Sequence, residues 1–175
     1  MIEALISSKT RVKMLLKFFL NANSSGYLRG LEQEFGESSN SIRIELNRFE
    51  KAGMLTSFSK GNKKFFQANK KHPLFNEIHN IVLKQIGFDT IINNVIERMG
   101  DIKKVFVAGD FAQGKDSQII DLVFVGDVNR EYLVQLIKKV DKLIDRKIRF
   151  IIFENNEKIT WDANSVEPLL LWEDE

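Results

Sequence analysis

SSNSIRIELNRFEKAGMLTSFSKGNKKFFQAN, residues 38–69, decides how this chain is read, because it divides into a helix followed by a basic-tipped hairpin. Ser38 offers the short hydroxyl side chain that caps a helix N-terminus, and Ile42, Leu46 and Phe49 recur at the three- and four-residue steps of one apolar face. Gly53 ends the pattern. The opposite face is expected to carry Ser39, Asn40, Ser41, Arg43, Asn47 and Arg48, side chains of the kinds that reach base edges and phosphates, with no large apolar residue among them. The second half holds two runs of strand-favouring residues around Lys60-Gly61-Asn62-Lys63, whose Gly and Asn tolerate the positive φ of a tight turn. Lys60, Lys63 and Lys64 cluster at its tip.

Upstream, Val12, Leu15, Leu16, Phe19 and Leu20 fall on one side of a first helix over residues 8–21, which the Asn/Ser/Gly cluster NANSSG ends. Tyr27-Leu28 suits a very short strand, Arg29 to Phe35 a second helix, and Gly36-Glu37 the turn before the helix at Ser38. Residues 8 to about 71 thus read helix, strand, helix, turn, helix, hairpin, and they resemble a winged helix-turn-helix domain of the ArsR-like kind of bacterial transcription regulator. LNRFEKAGMLTSFSKGNKKFFQAN carries most of that resemblance. It implies a recognition helix in a DNA major groove and a wing on phosphates. The thiolate ligands of the metal-sensing branch have no counterpart in a chain without cysteine.

Composition agrees with a folded protein of one large or two small domains: 175 residues, 43% hydrophobic and 29% charged. No cysteine means no disulfide, thiol nucleophile or thiol switch. No apolar run reaches membrane-spanning length, and MIEALISSKTRVK carries no cleavable apolar signal segment, so a cytoplasmic location is expected. The net charge of +2 hides an uneven division: residues 1–71 hold 13 Lys and Arg against 6 Asp and Glu, whereas residues 72–175 hold 13 against 18. A polyanion is drawn to local potential, so the first part is the expected contact.

His72-Pro73 interrupts the pattern, after which Leu74, Ile78, Ile81, Val82 and Ile86 return to helical spacing. Gly87 breaks the run, and Phe88 to Met99 continues it with Ile91, Ile92, Val95 and Ile96. Residues 72–100 therefore read as linking helices between a domain at 1–71 and another at 101–175. Their apolar stripe serves either a homodimer or packing on its own chain.

In the last domain KKVFVAGDFAQGKDSQIIDLVFVG, residues 103–126, reads as two buried strands joined by a Gly-containing loop. A helix over 130–144 and a strand over 147–153 follow, giving a small α/β unit and an α+β chain overall. Residues 103 to about 153 resemble the small nucleotidyltransferase domains of the minimal, or MNT, type. That resemblance implies a Gly-Ser turn cradling phosphate and an Asp-x-Asp pair holding magnesium. Gly109 matches the motif's glycine, Ala112 and Gly114 its small loop residues, and Asp121 its second aspartate. Asp110 stands where the serine belongs, Ile119 replaces the first aspartate, and the third strand offers only Arg149 near the family's further carboxylate. A hard cation needs several oxygen ligands in fixed geometry, so no catalytic residue, metal or cofactor is expected, and Asp121 reads as a strand-end residue capping loop amides.

Elsewhere, His72 and His79 read as surface or capping histidines, and Lys138, Lys139, Lys142, Arg146 and Lys147 as the solvated face of a helix. The tail from Trp161 includes Pro168-Leu169-Leu170-Leu171-Trp172, too apolar to hang free, and is expected to dock on its own domain or a second subunit. The expected function is a DNA-binding regulator whose partner is double-stranded DNA, acting as a homodimer with no membrane contact. The alternatives are a nucleotidyltransferase of altered motif and a winged-helix protein-interaction module.

Overall fold

The computed structural model describes residues 6–88, 100–144, 146–155, 157, 159 and 166–174, with positions 142 and 143 described by their backbone alone. The chain is a mixed α+β protein with a three-stranded and a four-stranded sheet. It divides into two compact units, Met1–Gln85 and Ile86–Glu175, so the division falls inside the 72–100 segment. No described helix is long and apolar enough to cross a membrane.

In the first unit, α1 (Lys9–Leu15) starts at Ser8, whose hydroxyl accepts the Arg11 amide at 3.2 Å. It then widens into a π-helical turn, Leu16–Leu20. Lys17 in that turn is buried and reaches the Glu34 carboxylate at 3.0 Å, a pairing that apolar periodicity could not announce. Nδ1 of His79 donates to the Phe19 carbonyl of the same turn at 2.6 Å, so this histidine is a tertiary link and not a surface group. The chain continues through β1 (Ser25–Tyr27), α2 (Leu28–Phe35), α3 (Ser39–Lys51), β2 (Leu55–Lys60) and β3 (Lys63–Ala68). β1 begins earlier than the expected Tyr27-Leu28 strand, because Gly26 lets the strand lie against α2, where an added Cβ would meet Leu31 at 2.7 Å. The sheet order is β1-β3-β2, antiparallel throughout. Ile42, Leu46 and Phe49 of α3 are buried as expected, together with Leu31, Leu55 and Phe66. α4 (Phe75–Ile86) follows a turn in which His72 Nδ1 accepts the Leu74 amide at 3.2 Å, and Gly87 with φ +90° ends it. The expected continuation to Met99 lies, from residue 89 onward, outside the described residues.

The second unit holds β4 (Gly100–Ala108), a single helical turn α5 (Gly109–Ala112), β5 (Ile119–Val128), α6 (Arg130–Ile144), β6 (Lys147–Phe153) and β7 (Leu169–Glu173). The sheet order is β6-β5-β4-β7, with β5 and β6 parallel and the other pairs antiparallel. Val105, Val107, Ile120, Leu122 and Phe124 are buried, as near-continuous apolar runs require. The apolar tail docks on its own unit: β7 pairs along β4, with Trp172 opposite Val105, covering backbone groups that an edge strand would expose. The part of that tail from 161 to 165 lies outside the described residues. Arg146 leaves the solvated run to which its spacing assigned it: it binds Asp116 at 2.6 Å and the Ser117 carbonyl, and lies over the Phe111 ring.

The polar centre of the first unit is Glu45, on α3 and only 5% exposed. Arg11 Nε donates to Oε2 at 2.8 Å and Arg11 Nη2 to Oε1 at 3.1 Å, which ties α1 to α3; Arg48 adds a bond at 3.1 Å and Ser8 one at 3.4 Å. Burial pushes the Glu45 carboxyl up, but the hydrogen bonds and charges of Arg11 and Arg48 outweigh it, and the group titrates below the usual glutamate range. A depressed folded pKa contributes stability that is present above the unfolded value and lost as pH falls through the folded one. Glu45→Gln should therefore cost about 1–2 kcal/mol at neutral pH. In melting curves recorded from neutral to acid pH, the gap between the native protein and this variant should close as pH drops below the ordinary carboxylate range.

Candidate nucleic-acid interface

α3 begins at Ser38, whose hydroxyl accepts the Ser41 amide at 3.2 Å. Its polar residues divide among three environments. Asn40, Arg43 and Asn47 are exposed. Ser39 donates to Glu32 on α2, and Ser41 shares a hydrogen bond of 2.9 Å with Ser38, so both serines serve the start of the helix. Arg48 is exposed yet bonded to Glu45, on the flank facing α1. One expectation fails outright: Ile44, 43% exposed, sits on the solvent face one turn from Asn40 and Arg48. Ile44 lies two residues from both Ile42 and Leu46, about 200° round the helix from each, so spacing itself sets it opposite the buried Ile42, Leu46 and Phe49 side. An exposed Ile can still lie against a thymine methyl.

The hairpin closes through the two residues Gly61-Asn62, with Gly61 at φ +60° and Lys60 paired to Lys63. Strand alternation then separates the lysines. Lys60 and Lys63 are exposed on one face, and Lys63 Nζ stands 4.3 Å above the Tyr27 ring. Lys64 points the other way, binds Glu50 at 2.8 Å and lies over the Phe66 ring. Lys64 and Ser57 together hold the Glu50 carboxyl below its usual range.

Between α3 and the hairpin runs a groove of about 580 Å³ whose lining includes Arg29, Arg43, Asn47, Asn62, Lys63 and Lys64, with Tyr27 at one side and no carboxylate. Five of the ten residues expected at a DNA surface meet there: Arg43, Asn47, Asn62, Lys63 and Lys64. Ser39, Asn40, Ser41, Arg48 and Lys60 are outside its lining. Arg29 and Tyr27 line the groove as well, and the sequence marks Arg29 only through the basic excess of residues 1–71. Every acid described between residues 6 and 71 is engaged: Glu32 by Ser39, Glu34 by Lys17, Glu37 by Lys13, Glu45 by Arg11 and Arg48, and Glu50 by Lys64. Among the described residues none of Arg29, Arg43, Lys60 and Lys63 has an ion-pair partner, so the excess positive charge collects at the groove and the hairpin tip.

In the second unit Gly109, Asp110, Gly114 and Asp121 take an arrangement different from the one their resemblance implies. Gly109 adopts φ +65° at the start of α5, and a Cβ there would meet Asp121 Oδ2 at 2.8 Å. Asp110 sits in that first turn, its carbonyl accepting the Gln113 and Lys115 amides, and Gly114 leaves the turn at φ +71°. Asp121 is the third residue of β5 and, among the described residues, caps no loop amide. The parallel register sets it beside Arg149 on β6, whose Nε and Nη2 donate to its two oxygens at 2.7 and 3.0 Å. Those residues do not fit a magnesium ion. A guanidinium takes both oxygens of the Asp121 carboxylate, Ile119 supplies no ligand, and Asp116 is held by Arg146.

No family model matches the chain, and no curated protein matches it. Among solved structures it is similar to the crystal structure of the protein AF1382 from Archaeoglobus fulgidus, with 14% identity over 56% of this chain and 99% of that one, at a TM-score of 0.37.

Gly109→Ala should destabilise the protein by about 1–2 kcal/mol, since alanine must take the left-handed region and press on the Asp121–Arg149 pair. Denaturant unfolding measures this, and a second Ala substitution at Asp121 should relieve only the steric part of the cost.

Proposed function

We propose that this protein is a winged helix-turn-helix regulator that binds double-stranded DNA, with α3 in the major groove and the β2–β3 hairpin as a wing on the phosphate backbone. The observation that carries the reading is the acid-free groove where Arg43 and Asn47 of α3 face Asn62 and Lys63 of the hairpin. Arg and Asn are the side chains that read guanine and adenine edges through paired hydrogen bonds. Lysines at a hairpin tip, by contrast, neutralise phosphates whatever the sequence. Ile44 adds an apolar contact of the type that suits thymine.

In this reading Asn40, Arg43 and Asn47 read bases, Arg29, Lys60 and Lys63 hold phosphates, and Arg48, Ser39 and Ser41 position α3. A two-fold homodimer would offer two such helices to half-sites about one helical turn apart. Exposed Ile81 on α4, beside an apolar groove of about 490 Å³ between α1, α3 and α4, supports dimer formation through that side. The second unit is a nucleotidyltransferase-like domain turned to structural use, because its former metal carboxylate is spent on Arg149. A cytoplasmic location goes with this role.

Binding is best measured on duplexes recovered by selection from a random pool, over a series of salt concentrations. Lys60→Ala and Lys63→Ala should weaken binding to every duplex and lower the slope of log affinity against log salt by about one each. Arg43→Ala or Asn47→Ala should cost about 1–3 kcal/mol at one base position and relax preference there. Selection that enriches no duplex, with binding indifferent to salt, would overturn the proposal.

A further inference from the structure

The outer face of the three-stranded sheet carries a feature that duplex recognition does not use. Register places Tyr27 of β1 opposite Phe65 of β3, and Phe65 opposite Phe58 of β2, so three aromatic rings form one line across the sheet. The Tyr27 and Phe65 centroids are 5.1 Å apart, and those of Phe65 and Phe58 are 5.7 Å apart with ring planes within 15° of parallel. Leu55, Phe66 and Ala68 fill the inner face and are buried, so strand alternation turns the ladder outward. Its end member, Phe58, is 43% exposed.

Charge on this face has one sign. No acid occurs in β1, β2 or β3, and the alternation sets Lys60 beside Phe58 and Lys63 beside Phe65 on the aromatic face. Lys60 and Lys63 are also direct cross-strand partners. Like charges directly opposite destabilise a hairpin, and an anion bound between them relieves that cost. Flat apolar rings flanked by unopposed cations match a polyanion that carries flat rings of its own.

We infer that the outer face of this sheet binds single-stranded nucleic acid, an unpaired base stacking on Phe58 and extending the Phe58–Phe65 ladder, with the adjoining phosphate held by Lys60. Bases inside a duplex have both faces covered by their neighbours, so only an unpaired strand can use the platform. Tyr27 and Lys63 belong to both this face and the α3 groove, which makes the platform continuous with the duplex surface without depending on it.

The test uses the full chain, a fluorescent oligothymidylate of about ten nucleotides and a blunt duplex, with binding followed by anisotropy. The native protein should bind the single strand in a salt-dependent way. Phe58→Ala and Phe58→Leu should each weaken that binding roughly tenfold, the latter because it keeps apolar bulk but loses the ring, while leaving duplex binding as it was. Phe58→Trp should restore binding, and the new indole should be quenched when the strand is added. Melting curves identify any variant that fails to fold, in which case the Trp quenching decides. Absent single-strand binding, or Phe58→Leu binding as tightly as the native protein, would overturn the inference; the second result would assign the ladder to an apolar protein contact. Loss of duplex binding with single-strand binding kept would sink the duplex reading alone.

Discussion

The first unit depends on one buried carboxylate. Glu45 lies on the helix that carries the proposed base-reading residues, and it is held by two arginines and by the serine that caps α1. A carboxylate placed in a nearly water-free position is tolerable only when fully bonded. The arrangement therefore has two consequences at once: α1 and α3 are tied together, and Arg48 is bonded to Glu45, which leaves Asn40, Arg43 and Asn47 as exposed polar groups of the helix without such a tie. The same bond set thus fixes both the geometry of the helix and the choice of side chains it presents.

A second consequence concerns charge. Residues 1–71 have more than twice as many basic as acidic side chains, but bulk excess is not a surface pattern. The fold makes it one by placing each described acid of that stretch in a contact within the unit, three of them with Arg11 and Lys13 of α1 and Lys17 of the π-helical turn. Cations on α2, α3 and the hairpin are left facing an acid-free groove and an aromatic sheet face. The electrostatic footprint is what remains after the internal pairs have formed, and it is smaller and sharper than the sequence total.

In the second unit the same kind of pairing recurs. The Gly109 turn approaches the β5 carboxylate so closely that a Cβ there would meet Asp121 Oδ2. The partner of that carboxylate across the parallel register is an arginine, so both of its oxygens are engaged within the chain.

Periodicity and turn residues in the sequence determined the α+β class, the order of elements through Ala68, the buried face of α3, and the two-residue turn at Gly61-Asn62, because these follow from spacing along one segment. They also marked the apolar tail as something that must dock. Tertiary structure alone decided the rest. Glu45 shares the spacing of the Ile42, Leu46 and Phe49 face, yet neither it nor Lys17 carries a local sign of the partner that makes its burial tolerable, and the same holds for the bond from His79 to Phe19, since each partner comes from a distant segment. Asp121 found Arg149 because strand pairing brought residues 28 apart into register. The line of Tyr27, Phe65 and Phe58 needed three separate strands to align. Local chemistry chooses the elements; which side chains remain free to act is settled only when those elements pair, because pairing uses some groups and leaves others.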